Sequence, residues 1–149
     1  MPDYYTILIP RNPHYVPCTS LLKQLSDLEI AGCATKLETE ENLQFASAMQ
    51  NFENVSCPHC KVDAMEWWGE AMSNAYLPDD QGFGTLDITT PCCGITTSLN
   101  DLDYYFDQGF YKVQLTIEPL TESIVDEDAI ITVLQKMTGE SWRKIQVRL

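Results

Sequence analysis

The chain has 149 residues, and its 22 acidic side chains against 9 basic ones give a formal net charge of −13. This length suits one compact domain, or a small core with an insertion. The negative charge repels phosphate, so it disfavours non-specific binding to nucleic acid or to an anionic membrane and favours a basic protein partner. The sequence has neither an apolar run of about 18 residues, as a membrane helix needs, nor the N-terminal pattern of a signal peptide. We therefore expect a cytoplasmic protein with reduced cysteines.

The first forty residues predict a strand, a helix and a second strand. YYTILI (4–9) is rich in β-branched and aromatic residues, which favour a strand, and a proline-rich loop follows. Thr19 or Ser20 can cap a helix whose apolar stripe contains Leu21, Leu22, Leu25 and Leu28. Gly32 is expected to end this helix, and ATKLETE (34–40) is the candidate for the second strand.

The last forty residues predict the same order of elements. YKVQLTIE (111–118) alternates, which indicates a strand with Tyr111, Val113, Leu115 and Ile117 on one face. SIVD (123–126) resembles a capping box, and the helix that follows is expected to end at Gly139. The final segment predicts a strand with Ile145, Val147 and Leu149 facing inward.

Two strand–helix–strand units are typical of the ferredoxin-like split βαβ sandwich, an α+β fold in which two helices cover one face of a four-stranded antiparallel sheet. We assign residues 1–40 and 110–149 to this core. The spacer, residues 41–109, is too long for a loop, and we interpret it as an inserted zinc-binding module. A different α+β fold with the same order of elements is the alternative.

Two close pairs of cysteines lie in the spacer, Cys57 with Cys60 and Cys92 with Cys93. Zinc prefers four tetrahedral ligands, and one Cys-x-x-Cys turn supplies two of them. The second pair is unusual, because adjacent cysteines can bind the same ion only with a strained backbone. Three sets of ligands therefore stay open: all four cysteines, which we favour, three cysteines with a histidine, or three cysteines with water. The ligands alone do not separate zinc from iron.

The motifs favour a structural metal over a catalytic one. The sequence contains neither His-Glu-x-x-His, nor the His-x-Glu and Pro-Cys-x-x-Cys of zinc deaminases, nor a phosphate-binding glycine loop. A redox Cys-x-x-Cys would leave Cys92 and Cys93 unexplained. We therefore predict no catalytic residue, with a thiol-dependent enzyme using His14 and Cys18 as an alternative. Otherwise Cys18 and Cys33 are expected to be small buried side chains.

The segment between the cysteine pairs, AMEWWGEAMSNAY (64–76), predicts a helix with two adjacent tryptophans. Trp67 and Trp68 would point about 100° apart. Either one can anchor a protein partner, or the two can pack on the metal module and the sheet. A nucleic-acid-binding zinc ribbon is a further alternative, but residues 55–98 carry one base, Lys61, against six acids. We interpret Asn100 and Asp101 as turn and capping residues.

The motifs CPHC, EWWGEAM, TPCCG and TSLNDLDY, in this order between Cys57 and Tyr105, resemble those of a family of small, uncharacterised bacterial proteins. A glycine often follows the CPxC motif in that family, where this chain has Lys61. The resemblance implies a bacterial protein with a zinc-ribbon-like module and no established activity. Together with the charge, we predict a non-enzymatic, zinc-stabilised module that binds another protein, such as an acidic antidote or adaptor for a basic partner.

Overall fold

A computed structural model describes residues 4–30, 32–120 and 126–149. The strands are β1 (Tyr4–Pro10), β2 (Cys33–Ala46), β3 (Val55–Ser56), β4 (Tyr76–Leu77), β5 (Gly82–Phe83), β6 (Asp87–Thr89), β7 (Thr96–Ser98), β8 (Asp103–Tyr104), β9 (Gly109–Pro119) and β10 (Trp142–Arg148). The helices are α1 (Thr19–Ser26), α2 (Met65–Ala75) and α3 (Glu127–Thr138), with a short 3₁₀ turn at Leu99–Asp101. None of the helices within these ranges is long and apolar enough to cross a membrane.

The main sheet has six strands in the order β10-β1-β9-β2-β5-β4, and every neighbouring pair is antiparallel. Leu25 of α1 and Leu134 of α3 pack in one cluster with Leu8 and Leu115 of the sheet, so both helices cover the same face. The predicted α+β class with an antiparallel sheet is therefore confirmed.

The beginning and the end of α1 differ from the prediction. The residue before the helix is Cys18, which makes no side-chain cap, so neither Thr19 nor Ser20 is the N-cap. The helix ends at Ser26 rather than at Gly32, which lies at φ 78° in the turn before β2. Leu28 still packs on the cluster below the helices, because the chain continues over the sheet after the helix has ended.

The predicted alternation in β9 holds only in part. Val113, Leu115 and Ile117 are buried below the helices, but Tyr111 packs in a different cluster, with Ile7 and Ile145. The register of β2 against β9 shifts between Thr39 and Gln44, beside this change. Such an irregularity bends a strand and redirects its side chains, which alternation in one strand cannot reveal. In β10, Ile145 and Val147 are buried as predicted, whereas Leu149 is exposed.

The N-cap of α3 is Asp126, whose carboxylate accepts a hydrogen bond from the N–H of Ala129 at 3.1 Å. Ser123 of the predicted capping box lies outside the described residues. The helix is followed by Gly139 as C-cap, at φ 73°, as predicted.

Replacing Asp126 with alanine should cost about 0.5–2 kcal/mol, because the first turn loses an acceptor for one of its free N–H groups. Urea denaturation measures the change. Asp128→Ala is the matched control, since Asp128 is exposed, lies in the same turn and carries the same charge without capping the helix; its exposed ion pair with Lys144, at 3.6 Å, contributes less than about 1 kcal/mol. Equal costs for the two substitutions would contradict a capping role for Asp126.

The inserted residues share a core with the main sheet. Leu43 of β2 and Phe110 of β9 are buried in one cluster with Val55 and Leu99 from the insertion. The ends of the insertion are also held at the sheet, because Gln50 N–H donates to the carbonyl of Arg148 at 2.9 Å. The cysteine-bearing turns therefore project from a packed base.

Candidate metal centre

The first cysteine pair lies in a tight turn after β3. The N–H of Cys57 donates to the carbonyl of Val62 at 2.9 Å, and the N–H of Lys61 donates back to the carbonyl of Cys57 at 3.0 Å. Lys61 has a φ of 64°, in the left-handed region that favours glycine. Lys61 therefore adopts this turn at some cost in strain that a glycine would avoid.

The second cysteine pair lies at the tip of the hairpin formed by β6 and β7. Thr90 N–H donates to the carbonyl of Ile95 at 2.9 Å, and Gly94 N–H donates to the carbonyl of Thr90 at 2.8 Å. The sequence predicts a strained backbone at the adjacent cysteines. Instead the left-handed conformation falls on Gly94, at φ 72°, and neither Cys92 nor Cys93 has a positive φ.

The two turns bring the four cysteines together. Their Sγ atoms all lie within 4.8 Å of one another, with 3.7 Å between Cys57 and Cys93 and 3.4 Å between Cys60 and Cys92. A tetrahedral zinc ion with Zn–S bonds of about 2.3 Å would separate its sulfurs by about 3.8 Å. Four thiolates at this spacing can hold one metal ion. Within the described ranges, neither histidine joins this group of ligand atoms.

The four thiols differ in burial. Cys57 is buried, Cys60 is partly buried, and Cys92 and Cys93 are exposed. The cluster therefore lies at the surface of the protein, with Cys57 fixed in the interior. An ion can reach it from solvent on the side of Cys92 and Cys93.

Without a metal, the pKa values of the thiols shift in different directions. The Thr90 hydroxyl, 3.4 Å from Cys93 Sγ, lowers the pKa of Cys93 to about 6. The amide of Cys60 lowers the pKa of Cys57. The amide of Val62 acts in the same direction on Cys60, but the neighbouring thiols outweigh it and raise the pKa of Cys60 to about 12. A bound cation would favour the thiolate form of all four cysteines, Cys60 included.

The two adjacent tryptophans have different surroundings. Trp68 packs on Phe52 with 5.2 Å between ring centroids, and its Nε1 donates to the Tyr104 hydroxyl at 3.1 Å. That hydroxyl donates in turn to the carbonyl of Leu99 at 2.7 Å. Trp67 lines an open groove of ≈ 450 Å³ between α2 and β6, together with Ala71 and Ile88.

Trp68→Phe should cost about 0.5–1.5 kcal/mol, because the substitution keeps most of the ring packing but removes the hydrogen bond to Tyr104. Trp67→Phe should change the free energy of unfolding by less than about 0.5 kcal/mol, since the indole of Trp67 borders the groove. Denaturant titration compares the two variants. Equal costs would contradict the separate environments of the two rings.

Cys18, the thiol of the alternative enzyme site, is exposed to solvent. Cys18 is exposed, contrary to the expectation of a small buried side chain, and Cys33 is partly buried at the start of β2. The Ser20 hydroxyl, 3.4 Å from Cys18 Sγ, lowers the pKa of Cys18. The backbone N–H of His14 donates to Asn12, and the hydrogen bonds found in the described ranges do not connect His14 with Cys18.

A buried polar contact that the sequence analysis missed joins the insertion to the sheet. Asn100 does not cap the 3₁₀ turn, because the hydroxyl of Ser98 takes that role. Its buried Oδ1 instead accepts from Phe110 N–H at 2.8 Å and from Arg143 Nη2 at 2.6 Å. Arg143 is 7% exposed, and burial lowers its pKa. No local pattern signals this contact, because the two residues lie 43 positions apart.

Comparisons with known proteins add no relative: no family model, curated protein or solved structure matches this chain. The inference of function therefore rests on the chemistry of the described residues.

Proposed function

We propose that this chain is a cytoplasmic, non-enzymatic protein-binding module that zinc stabilises, with a basic protein as its partner. The proposed architecture is a ferredoxin-like split βαβ core with an inserted zinc-ribbon-like module. The strand order β10-β1-β9-β2, with two helices on one face, supports the proposed core.

The observation that carries the proposal of a structural metal is the group of four thiols within 4.8 Å. Four protein ligands fill the tetrahedral shell of zinc, whereas a catalytic zinc keeps a position for water. The ion would join the turn after β3 to the tip of the β6–β7 hairpin. These strands have only two or three residues each, so they gain much from a cross-link of this kind.

The groove between α2 and β6 supports the protein-binding part of the proposal. Its lining combines the apolar side chains of Trp67 and Ile88 with the carboxylates of Glu70 and Asp87, and contains no basic residue among those described. A lining that is both apolar and acidic fits a segment that carries both apolar and basic side chains.

Affinity capture from the native host tests the proposed partner. Wild-type protein should retain a basic protein, whereas Trp67→Ala and the double variant Glu70→Lys/Asp87→Lys should lose it. Glu53→Lys is a control, because Glu53 is exposed and does not line the groove. Retention that is equal in all variants, or that disappears in the control as well, would contradict binding through the groove.

A thiol-dependent enzyme is the second candidate, because Cys18 is exposed and hydrogen-bonded to Ser20. Its test is the rate of alkylation of Cys18 at neutral pH. If His14 is the base, His14→Ala should slow the reaction, and no change would remove this candidate. The nucleic-acid alternative loses support, since Arg143, one of three bases near the end of the sequence together with Lys144 and Arg148, is buried.

A further inference from the structure

The outer edge of β2, residues 34–41, has backbone groups for which the part of the chain that the structure describes supplies no hydrogen-bond partner. Gly32 accepts a hydrogen bond from Leu120 N–H across the ladder with β9. Hydrogen-bonded pairs alternate in an antiparallel ladder, so Ala34, Lys36 and Glu38 direct their backbone groups to β9. Thr35, Leu37 and Thr39 direct theirs outward. Among the described residues, the backbone pairings on this side of β2 begin at Leu43, opposite β5.

The residues along the outer edge of β2 are complementary to themselves. The segment Thr35-Lys36-Leu37-Glu38-Thr39 is nearly symmetric about Leu37. A threonine lies two residues away on each side, and the adjacent residues are a base, Lys36, and an acid, Glu38. In an antiparallel pair of two such edges about Leu37, each Lys36 lies opposite the Glu38 of the other copy. These would be non-hydrogen-bonded pairs, in which opposing Cα atoms are only about 4.5 Å apart and side chains meet most closely.

The neighbouring hairpin leaves room for this alignment. Asn42 Nδ2 donates to the carbonyl of Asp80 at 2.7 Å, and Gln44 Nε2 donates to that of Gln81 at 2.7 Å. The turn between β4 and β5 therefore covers the edge from Asn42 onward. The N–H of Cys33 donates to the carbonyl of Ile30 at 3.1 Å, so the stretch that stays open lies between Cys33 and Asn42, with Leu37 near its middle.

We infer that the outer edge of β2 pairs with the same edge of a second copy of this chain, about a two-fold axis at Leu37. The two main sheets then join into one continuous sheet. Pairing satisfies the outward backbone groups, which otherwise form an exposed template for association. It also covers Leu37 and Leu28, which are only partly buried at this edge.

Charge makes Lys36 the deciding residue. Lys36 Nζ already lies 2.7 Å from Glu38 in its own chain, and its side chain is 74% exposed. In the dimer it would lie between two glutamates, one from each copy. The other charges near this edge, Glu40, Glu41 and Glu118, are acidic, and the whole chain carries −13. Association against that repulsion depends on the two Lys36–Glu38 contacts. The inference is independent of the metal centre and of the groove.

Sedimentation and mixing of charge-reversed chains test the dimer. Wild type should dimerise as its concentration rises, whereas Lys36→Glu alone and Glu38→Lys alone should stay monomeric because like charges would face each other. An equimolar mixture of the two variants should form a heterodimer, since every cross-strand pair is then of opposite sign. This rescue cannot arise from the Lys36–Glu38 contact within one chain, which both variants lack. A mixture that stays monomeric would overturn the inference.

Matched controls and a second readout complete the experiment. Lys136→Glu and Glu53→Lys change the charge equally at exposed sites away from the edge and should leave the dimer unchanged. Hydrogen exchange on wild type needs no variant. The amides of Thr35, Leu37 and Thr39 should exchange more slowly as the concentration rises, while exposed loop amides do not change. Wild type that is monomeric throughout, with no such protection, would refute the dimer.

Discussion

Replacing Cys57 with serine should abolish tight zinc binding and lower the melting temperature of the protein. Cys57 is the buried member of the four-cysteine group, so it anchors the site to the fold. A metal that binds only the folded state stabilises it by about 4 kcal/mol when it is present at about a thousand times its dissociation constant. Wild type should therefore carry one zinc ion in native mass spectrometry and lose several degrees on chelation, whereas Cys57→Ser should show neither effect.

Cys18→Ser is the matched control, because Cys18 is an exposed cysteine outside the cluster. This variant should retain one zinc ion and the full response to chelator. Wild type that is free of metal, or that melts at the same temperature after chelation, would refute the structural metal.

Single substitutions also decide between the three sets of ligands that the sequence leaves open. With four cysteine ligands, Cys92→Ser and Cys93→Ser should each weaken zinc binding strongly, and His59→Ala should leave it unchanged. A three-cysteine site would tolerate one of the two serine variants. Cobalt substitution provides a spectroscopic check, because thiolate-to-cobalt bands reflect the number of sulfur ligands.

Gly109→Ala should destabilise the protein by about 2.5–6 kcal/mol. A Cβ at this position would overlap with Nη2 of Arg143 and lie 2.5 Å from its Cζ. The guanidinium would have to leave the oxygens of Asn100, and the loss of a hydrogen bond to a charged group costs about 1.5–3 kcal/mol. Overpacking adds about 1–3 kcal/mol. Urea denaturation, or the loss of soluble protein if the variant fails to fold, measures the effect.

Two further variants isolate the cause of that effect. Gly69→Ala is the control, because a Cβ there meets no atom within 4 Å and the position lies inside α2, where alanine should stabilise by about 0.5–1 kcal/mol. In an Arg143→Ala background, Gly109→Ala should cost only about 1 kcal/mol, since the overlapping group is gone. An undiminished cost in that background would show that the contact with Arg143 is not the reason for the glycine.

The strand–helix–strand units could be predicted because their signals are local. The alternation of Val113, Leu115 and Ile117 in β9 and the spacing of Ile130 and Leu134 in α3 each lie within a dozen residues, and packing in one cluster between sheet and helix imposes both patterns. The errors occur where distant parts of the chain intervene. Tyr111 lies on the opposite face from the predicted one, beside the shift in register between β2 and β9. The end of α1 at Ser26 was not predicted, because the local sequence does not show how far the helix follows the sheet.

The candidate site was predictable for the same reason, but only in part. Cys-x-x-Cys is a complete turn, so its geometry follows from four residues. The adjacent pair gains its geometry from the β6–β7 hairpin, whose tip turns at Gly94 and aims both thiols at Cys57 and Cys60. Strain was expected at the cysteines because the sequence does not show that the neighbouring glycine absorbs it.

The sequence by itself determined the α+β class, the order of the core elements and the residues of the candidate metal site, since periodicity and short motifs act over one turn or one strand. Only the tertiary structure decided which of Trp67 and Trp68 bonds to Tyr104, why position 109 is glycine and why the side chain of Arg143 is buried. These depend on contacts such as Trp68 with Tyr104 and Arg143 with Asn100, between residues 36 and 43 positions apart. Burial and close packing arise from such distant contacts, so they become visible only after the chain has folded.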